Sequence, residues 1–171
     1  MGASLRKTEN NLAESAGIDT WNDAEILAAF AGGQERAIAA VKTAIPQISK
    51  AANAIAACLA GGGRLFYAGA GTSIRIGVQD GSELPATFGM AEDKIEYLIA
   101  GGRAAMFDTL ADAEDDAAEG SRAASACKTG DALIAIAASG STPYTIAAAK
   151  LARELGATVV AVVNNPNSAL A

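Results

Sequence analysis

Two short stretches combine glycine with hydroxyl side chains, Gly69-Ala70-Gly71-Thr72-Ser73 and Ala137-Ala138-Ser139-Gly140-Ser141-Thr142-Pro143, and each falls between an apolar strand pattern and a helical one. In parallel α/β folds such turns lie at the carboxyl edge of the sheet, where amides, hydroxyls and helix N-termini converge on an anion. Gly71, Thr72 and Ser73 in the first turn, with Ser139, Gly140, Ser141 and Thr142 in the second, therefore suggest a pocket for a phosphorylated small molecule. Neutral donors satisfy phosphate oxygens without a basic cluster. The plainer alternative is that these serines and threonines only cap helices, which they favour anyway.

Two glutamates are candidates for acid–base work. Glu83 falls near the expected end of a helix beside apolar Leu84, Pro85 and Phe88. Desolvation and the negative end of the helix would lift its carboxyl toward the range a base for a carbon acid needs. Glu114 lies in the acidic run Asp112-Ala113-Glu114-Asp115-Asp116, where like-charged neighbours would act in the same direction. By themselves both also read as ordinary solvated carboxylates. The chain has no histidine, which removes Ser-His-Asp and Cys-His catalysis and leaves carboxylate, lysine or tyrosine as base.

The elements that must position these groups follow from periodicity. Residues 1–22 form a polar arm without sustained pattern. Asp23 is the expected cap of a short helix broken at Gly32-Gly33, and a second helix from Gln34 to Ala60 carries Ala37, Val41, Ile45, Ile48, Ala52, Ile55 and Leu59, with a kink at Pro46. Gly61-Gly62-Gly63 ends it. Arg64 to Ala68 reads as a buried strand, Ser73 to Leu84 as a helix stopped by Pro85, and Ile95 to Ala100 as a second strand. A helix is expected from Arg103 toward Ala111 and another from Ala117 to Cys127. A third strand spans Asp131 to Ala137, a helix opens at Pro143 and closes at Gly156, and a fourth strand spans Thr158 to Val163. Strands alternating with helices predict a three-layer α-β-α fold on a mainly parallel sheet, with helices ahead of it: a helical lead-in over 23–62 and an α/β core over 63–171, ending before the sheet is complete.

Composition narrows the partners. At 171 residues, 51% hydrophobic and a net charge of −6 with scattered basic residues, the chain can bury a core and lacks the footprint of a nucleic-acid binder. No apolar stretch is long enough to span a bilayer, and residues 1–5 open no secretory signal, so a cytoplasmic protein with no membrane partner is expected. Cys58 and Cys127 have no metal-ligand spacing and read as small buried hydrophobes, and no metal site is expected. Gly69 and Gly71 supply two glycines of a dinucleotide fingerprint, but the third position is Ile74, so no nucleotide cofactor is expected.

A resemblance sharpens this. Gly63-Arg64-Leu65, the first turn, Ser82-Glu83-Leu84-Pro85-Ala86-Thr87-Phe88-Gly89, Leu98 to Gly102, Ala113-Glu114-Asp115 and Ile136 to Gly140 with Thr142-Pro143-Tyr144 together resemble the N-acetylmuramic acid 6-phosphate etherase family, which has the sugar-isomerase (SIS) phosphosugar-binding fold. The likeness runs from Thr8-Glu9-Asn10 to Asn165-Pro166. It implies a cofactor-free lyase that releases D-lactate from the sugar, with Glu83 matching the catalytic acid/base and Glu114 a second active-site glutamate, in a homodimer that completes its sites at the interface. A phosphosugar isomerase and a non-catalytic phosphosugar sensor are the other functions such a fold allows. Ile74 stands where the family has glycine, Leu84-Pro85-Ala86 where it has Cys-Pro-Pro, and Ser141 where it has arginine. A branched side chain at position 74 is expected to narrow the pocket.

Overall fold

The computed structural model describes residues 8, 10, 12–108 and 112–171. By compactness the chain divides into Met1–Asn53 and Ala54–Ala171.

In the first unit, short 3₁₀ turns at Ala13–Ser15 and Ile18–Thr20 precede one long helix, α1 (Asp23–Ala60), whose last turns belong to the second unit. The cap is Asn22 rather than Asp23. Asn22 Oδ1 accepts from the Glu25 amide at 3.0 Å, and the Asn22 amide donates back to Glu25 Oε2 at 3.1 Å. This reciprocal pair satisfies two amides that Asp23, already inside the first turn, is not placed to serve. Nor do Gly32 and Gly33 break the helix. Each costs about 1 kcal/mol relative to alanine, which the alanine-rich turns on both sides offset. The helix also runs through Pro46 without interruption.

The second unit contains β1 (Leu65–Gly69), α2 (Gly71–Phe88), β2 (Ile95–Ile99), α3 (Ala117–Ala124), β3 (Ala132–Ile136), α4 (Pro143–Glu154) and β4 (Thr158–Val162). The strands pair in parallel in the order β2-β1-β3-β4, as the alternation of elements predicts. Alternation along each strand separates two cores. Leu65 and Tyr67 of β1 join Ile95, Ala132 and Ile74, with Leu59 of α1 and Val78 of α2, on one face. Phe66 and Ala68 join Leu98, Leu133 and Ala135 with Ala124 of α3 and Ala148 and Ala152 of α4 on the other. The three-layer arrangement is therefore α1 end and α2, sheet, α3 and α4.

Two helix bounds differ from expectation. Pro85 does not stop α2, which continues to Phe88 and ends at Gly89 with φ 67°. In the last turn the missing proline amide removes a single bond, and Gly89 supplies the left-handed cap, its amide reaching Pro85 O at 3.0 Å. From Arg103 the chain makes only a 3₁₀ turn, Arg103–Met106, and residues 109–111 of the expected helix lie outside the described residues. α3 starts at Ala117 as expected but ends at Ala124, short of Cys127.

The edge of the sheet is locked at its other end by a buried charge. Asp131, just before β3, is fully buried and accepts from the Arg64 amide at 2.9 Å, from Arg64 Nη2 at 3.0 Å and from the Lys128 amide at 3.1 Å. Burial alone would raise its carboxyl, but these donors outweigh it and hold the group below the usual carboxylate range. The Arg64 guanidinium also lies 4.8 Å above the Phe66 ring.

Candidate functional site

The strand order reverses its direction of growth between β1 and β3. Chain from β1 crosses by α2 to β2 on one side, and chain from β3 crosses by α4 to β4 on the other, over the opposite face. At such a point the loops leaving adjacent carboxyl ends part and open a crevice, the usual place for a ligand in an open parallel sheet. Gly69 pairs with Ile136 as the last residues of β1 and β3, so the two glycine and hydroxyl turns leave this crevice side by side. The structure thus brings the two sequence-predicted turns to one edge.

In the first turn Gly71 adopts φ 53°, Thr72 is exposed and Ser73 half-buried. α2 carries no acidic residue in its first turn and no side-chain cap, so its first amides lack an intrahelical acceptor and face an uncompensated positive helix end. Ile74 does not narrow this pocket. Its side chain is 1% exposed and belongs to the core beneath the turn, against Gly69, because position 74 faces the sheet once α2 starts at Gly71.

The second turn is held by its own hydroxyls. Ser139 Oγ accepts from the Ser141 amide at 3.2 Å and lies 2.9 Å from Ser141 Oγ. Gly140 adopts φ 68°, and a Cβ there would collide with Ser168. The chain after β4 folds over this turn: the Asn164 amide donates to Ala138 O, Asn165 Nδ2 to Ser139 O and the Leu170 amide to Gly140 O, each at 3.0 Å. Thr142 is the N-cap residue of α4 without a side-chain cap bond, and Pro143 takes the first helical position as expected.

The glutamates sit elsewhere. Glu83 is an exposed residue well inside α2 rather than at its end, since the helix outruns Pro85. It follows Ser73 by ten residues, about 15 Å along the axis. Glu114 is exposed in a 3₁₀ turn, Ala113–Asp115, that follows Asp112 at φ 66°, the one non-glycine with positive φ among the described residues. That turn packs against α4. A single chain therefore places the two carboxylates on elements in opposite layers.

A cavity of about 1160 Å³ runs along the outer side of β2, taking Ser82, Pro85 and Ala86 from α2, Gly102 and Arg103 from the turn after β2, and Tyr144 from α4. Burial and the nearby Glu119 charge push the Tyr144 hydroxyl up to about 12, so it stays a neutral donor at physiological pH. Tyr67 is likewise raised, by burial and by its 2.7 Å bond to Asp80 Oδ2. Cys127 is buried, its thiol pushed up to about 11, whereas Cys58 is only half-buried, with Sγ 3.3 Å from Thr158 Oγ1.

Arg75 has no place among the residues that spacing along the chain singles out. It lies one turn into α2, shortly after the Thr72-Ser73 pair, and its Nη2 donates to Ala105 O at 3.1 Å. A signal for it does exist in the sequence: a lone cation two residues beyond a hydroxyl pair at a helix start.

A family model described as SIS domain matches residues 30–164. The chain belongs to the SIS domain family. Among curated proteins carrying this resemblance, the N-acetylmuramic acid 6-phosphate etherase of Symbiobacterium thermophilum is 46% identical over 165 residues, covering 96% of this chain and 55% of that protein. The protein of the same name from Deinococcus radiodurans is 44% identical over 167 residues, with the same coverage. The chain spans about half the length of the curated relatives it matches. Among solved SIS-type folds, a phosphoheptose isomerase from Francisella tularensis superposes with a TM-score of 0.67 at 18% identity over 88% of this chain and 80% of that one. A phosphoheptose isomerase from Neisseria gonorrhoeae gives 0.60 at 22% identity over 82% and 73%. At those identities the likeness is one of fold.

Proposed function

We propose that this chain is the sugar-binding and catalytic portion of an etherase that converts N-acetylmuramic acid 6-phosphate to N-acetylglucosamine 6-phosphate and D-lactate. The observation that carries the reading is the placement of both hydroxyl turns at the β1/β3 crevice, in a chain 46% identical to a protein of that name. The phosphate binds the amides and hydroxyls of Gly71, Thr72 and Ser73 on one side and of Ser139, Gly140, Ser141 and Thr142 on the other. The opened sugar's aldehyde acidifies the C2 proton, Glu83 takes it, and the C3–O bond breaks to release lactate, whose oxygen is protonated by Glu114. Water then adds at C3 of the resulting alkene as the proton returns to C2. No cofactor enters these steps.

Glu83 and Glu114 stand exposed in opposite layers of one chain, so the reaction needs a second surface to cover and combine them. We assign that surface to a second copy. In the first unit α1 exposes Ile38, Val41, Ile45 and Ile48 by more than half each, spaced 3, 4 and 3 residues apart, with Leu27 and Phe30 equally bare. Such a stripe on one helix suits a partner helix of the same kind. No helix among the described residues is long and apolar enough to cross a membrane, and a cytoplasmic site of action is part of this proposal.

The test is lactate release from N-acetylmuramic acid 6-phosphate by the protein and by Glu83→Gln. Release is expected, falling by about 10²–10⁴-fold in the variant, the usual contribution of a positioned acid–base group. Equal release by both would remove Glu83 as the base. Isomerisation would leave the ether intact and release no lactate.

A further inference from the structure

Arg75 is a partly buried cation without a counter-charge. Of the ion pairs among the described residues, one joins Arg36 to Glu14, one Arg64 to Asp131 and one Arg122 to Glu119. Arg75 has none, in a chain whose formal charge is −6. Its Nη2 is fixed on Ala105 O, while its Nε is buried with no acceptor. Arg64 Nε is also without an acceptor, but the Arg64 charge is met by Asp131. A guanidinium held this way keeps unsatisfied donors and an uncompensated charge, which costs stability unless an anion completes it.

Its place in the fold says which anion. The bond to Ala105 draws the guanidinium toward the 3₁₀ turn Arg103–Met106 after β2. The second hydroxyl turn lies on the other side of β1, after β3. A phosphate in the β1/β3 crevice is already served by amides and hydroxyls there. Arg75 stands on the β2 flank of the first turn, away from the donors that would hold that phosphate. Its planar fork matches a carboxylate better than a lysine ammonium would.

We propose that Arg75 is a specificity residue that recognises a carboxylate carried by the phosphosugar. This inference rests on the phosphosugar reading of the crevice. It makes Arg75 the group that separates a sugar bearing an acidic ether substituent from the same sugar without it.

The experiment compares equilibrium binding of N-acetylmuramic acid 6-phosphate, which has the carboxylate, with N-acetylglucosamine 6-phosphate, which lacks it, for the parent, Arg75→Met and Arg75→Lys, all carrying Glu83→Gln so that the first sugar is not converted into the second, with lactate assayed in the same samples to verify this. The parent is expected to prefer the carboxylated sugar at least tenfold. Arg75→Met should abolish that preference while changing affinity for N-acetylglucosamine 6-phosphate less than threefold, and Arg75→Lys should restore part of it. Equal weakening toward both sugars would mean that Arg75 only pins the turn at Ala105, and overturns the proposal, as does an unchanged preference. The same Glu83→Gln parent supplies a check that needs no change at position 75: the Arg75 Nε–H resonance should shift with N-acetylmuramic acid 6-phosphate and not with N-acetylglucosamine 6-phosphate, and the reverse pattern overturns the assignment. Binding of neither sugar by the parent would sink the phosphosugar reading itself and this inference with it. Binding of both without preference sinks the inference alone.

Discussion

Gly69 and Ile136 face each other as the final paired residues of β1 and β3, so closely that a Cβ on Gly69 would stand 2.9 Å from the Ile136 carbonyl oxygen and 3.2 Å from Ile74 Cβ. Neither neighbour can give way, since one is backbone and the other is core. Gly69→Ala should therefore cost about 1–3 kcal/mol, the usual penalty of overpacking, and should weaken phosphosugar binding by widening the crevice. Denaturant unfolding and a binding titration check both. A neutral substitution would mean that the strands are not this close.

Asp131 predicts an acid limb. Because its folded-state carboxyl is held below the ordinary value of about 3.9, its contribution to stability is complete above that value and fades as pH falls through the depressed one. Asp131→Asn leaves Arg64 without its counter-charge and should cost roughly 3 kcal/mol at pH 7. The gap between parent and variant should close as the pH drops below about 3.9, followed by chemical denaturation across that range. A gap that stays constant would mean that folding does not depress the Asp131 carboxyl.

The bare stripe on α1 predicts a change of assembly without a change of fold. Ile45 is 55% exposed, so Ile45→Asp removes little from the single chain. In a helix–helix seam it buries a charge, and sedimentation should show the variant dissociating at concentrations where the parent is dimeric. Identical profiles would remove α1 from the interface.

Much of the fold is readable from residue order, for identifiable reasons. The four strands are short, apolar and bounded by glycine or charge, so their limits fall within a residue or so of expectation. The two turns are legible because glycine and hydroxyl side chains gather only where backbone must bend toward a ligand or a cap. What residue order misjudges is the effect of glycine and proline inside long helices. Gly32 and Gly33 read as a break and Pro85 as a stop, yet alanine-rich flanks carry α1 through the glycines, and Gly89 closes α2 one turn beyond Pro85. That shift moves Glu83 from a helix end beside apolar residues to an exposed position along the helix. Residue order shows Arg75 as a lone cation just beyond a hydroxyl pair but does not show its role, for a different reason. Its missing counter-charge depends on which residues the fold places around it, and spacing along the chain does not report that.

The proposed site stands or falls on one phosphate being shared by Thr72-Ser73 and Ser139-Gly140-Ser141. Titration of N-acetylglucosamine 6-phosphate into the ¹⁵N-labelled protein reads this sharing residue by residue. The largest amide shifts are expected to fall together on Gly71, Thr72, Ser73 and Ser139 to Thr142, and Ser73→Ala and Ser139→Ala should each weaken binding. Saturable binding whose shifts leave either turn untouched would refute the shared phosphate.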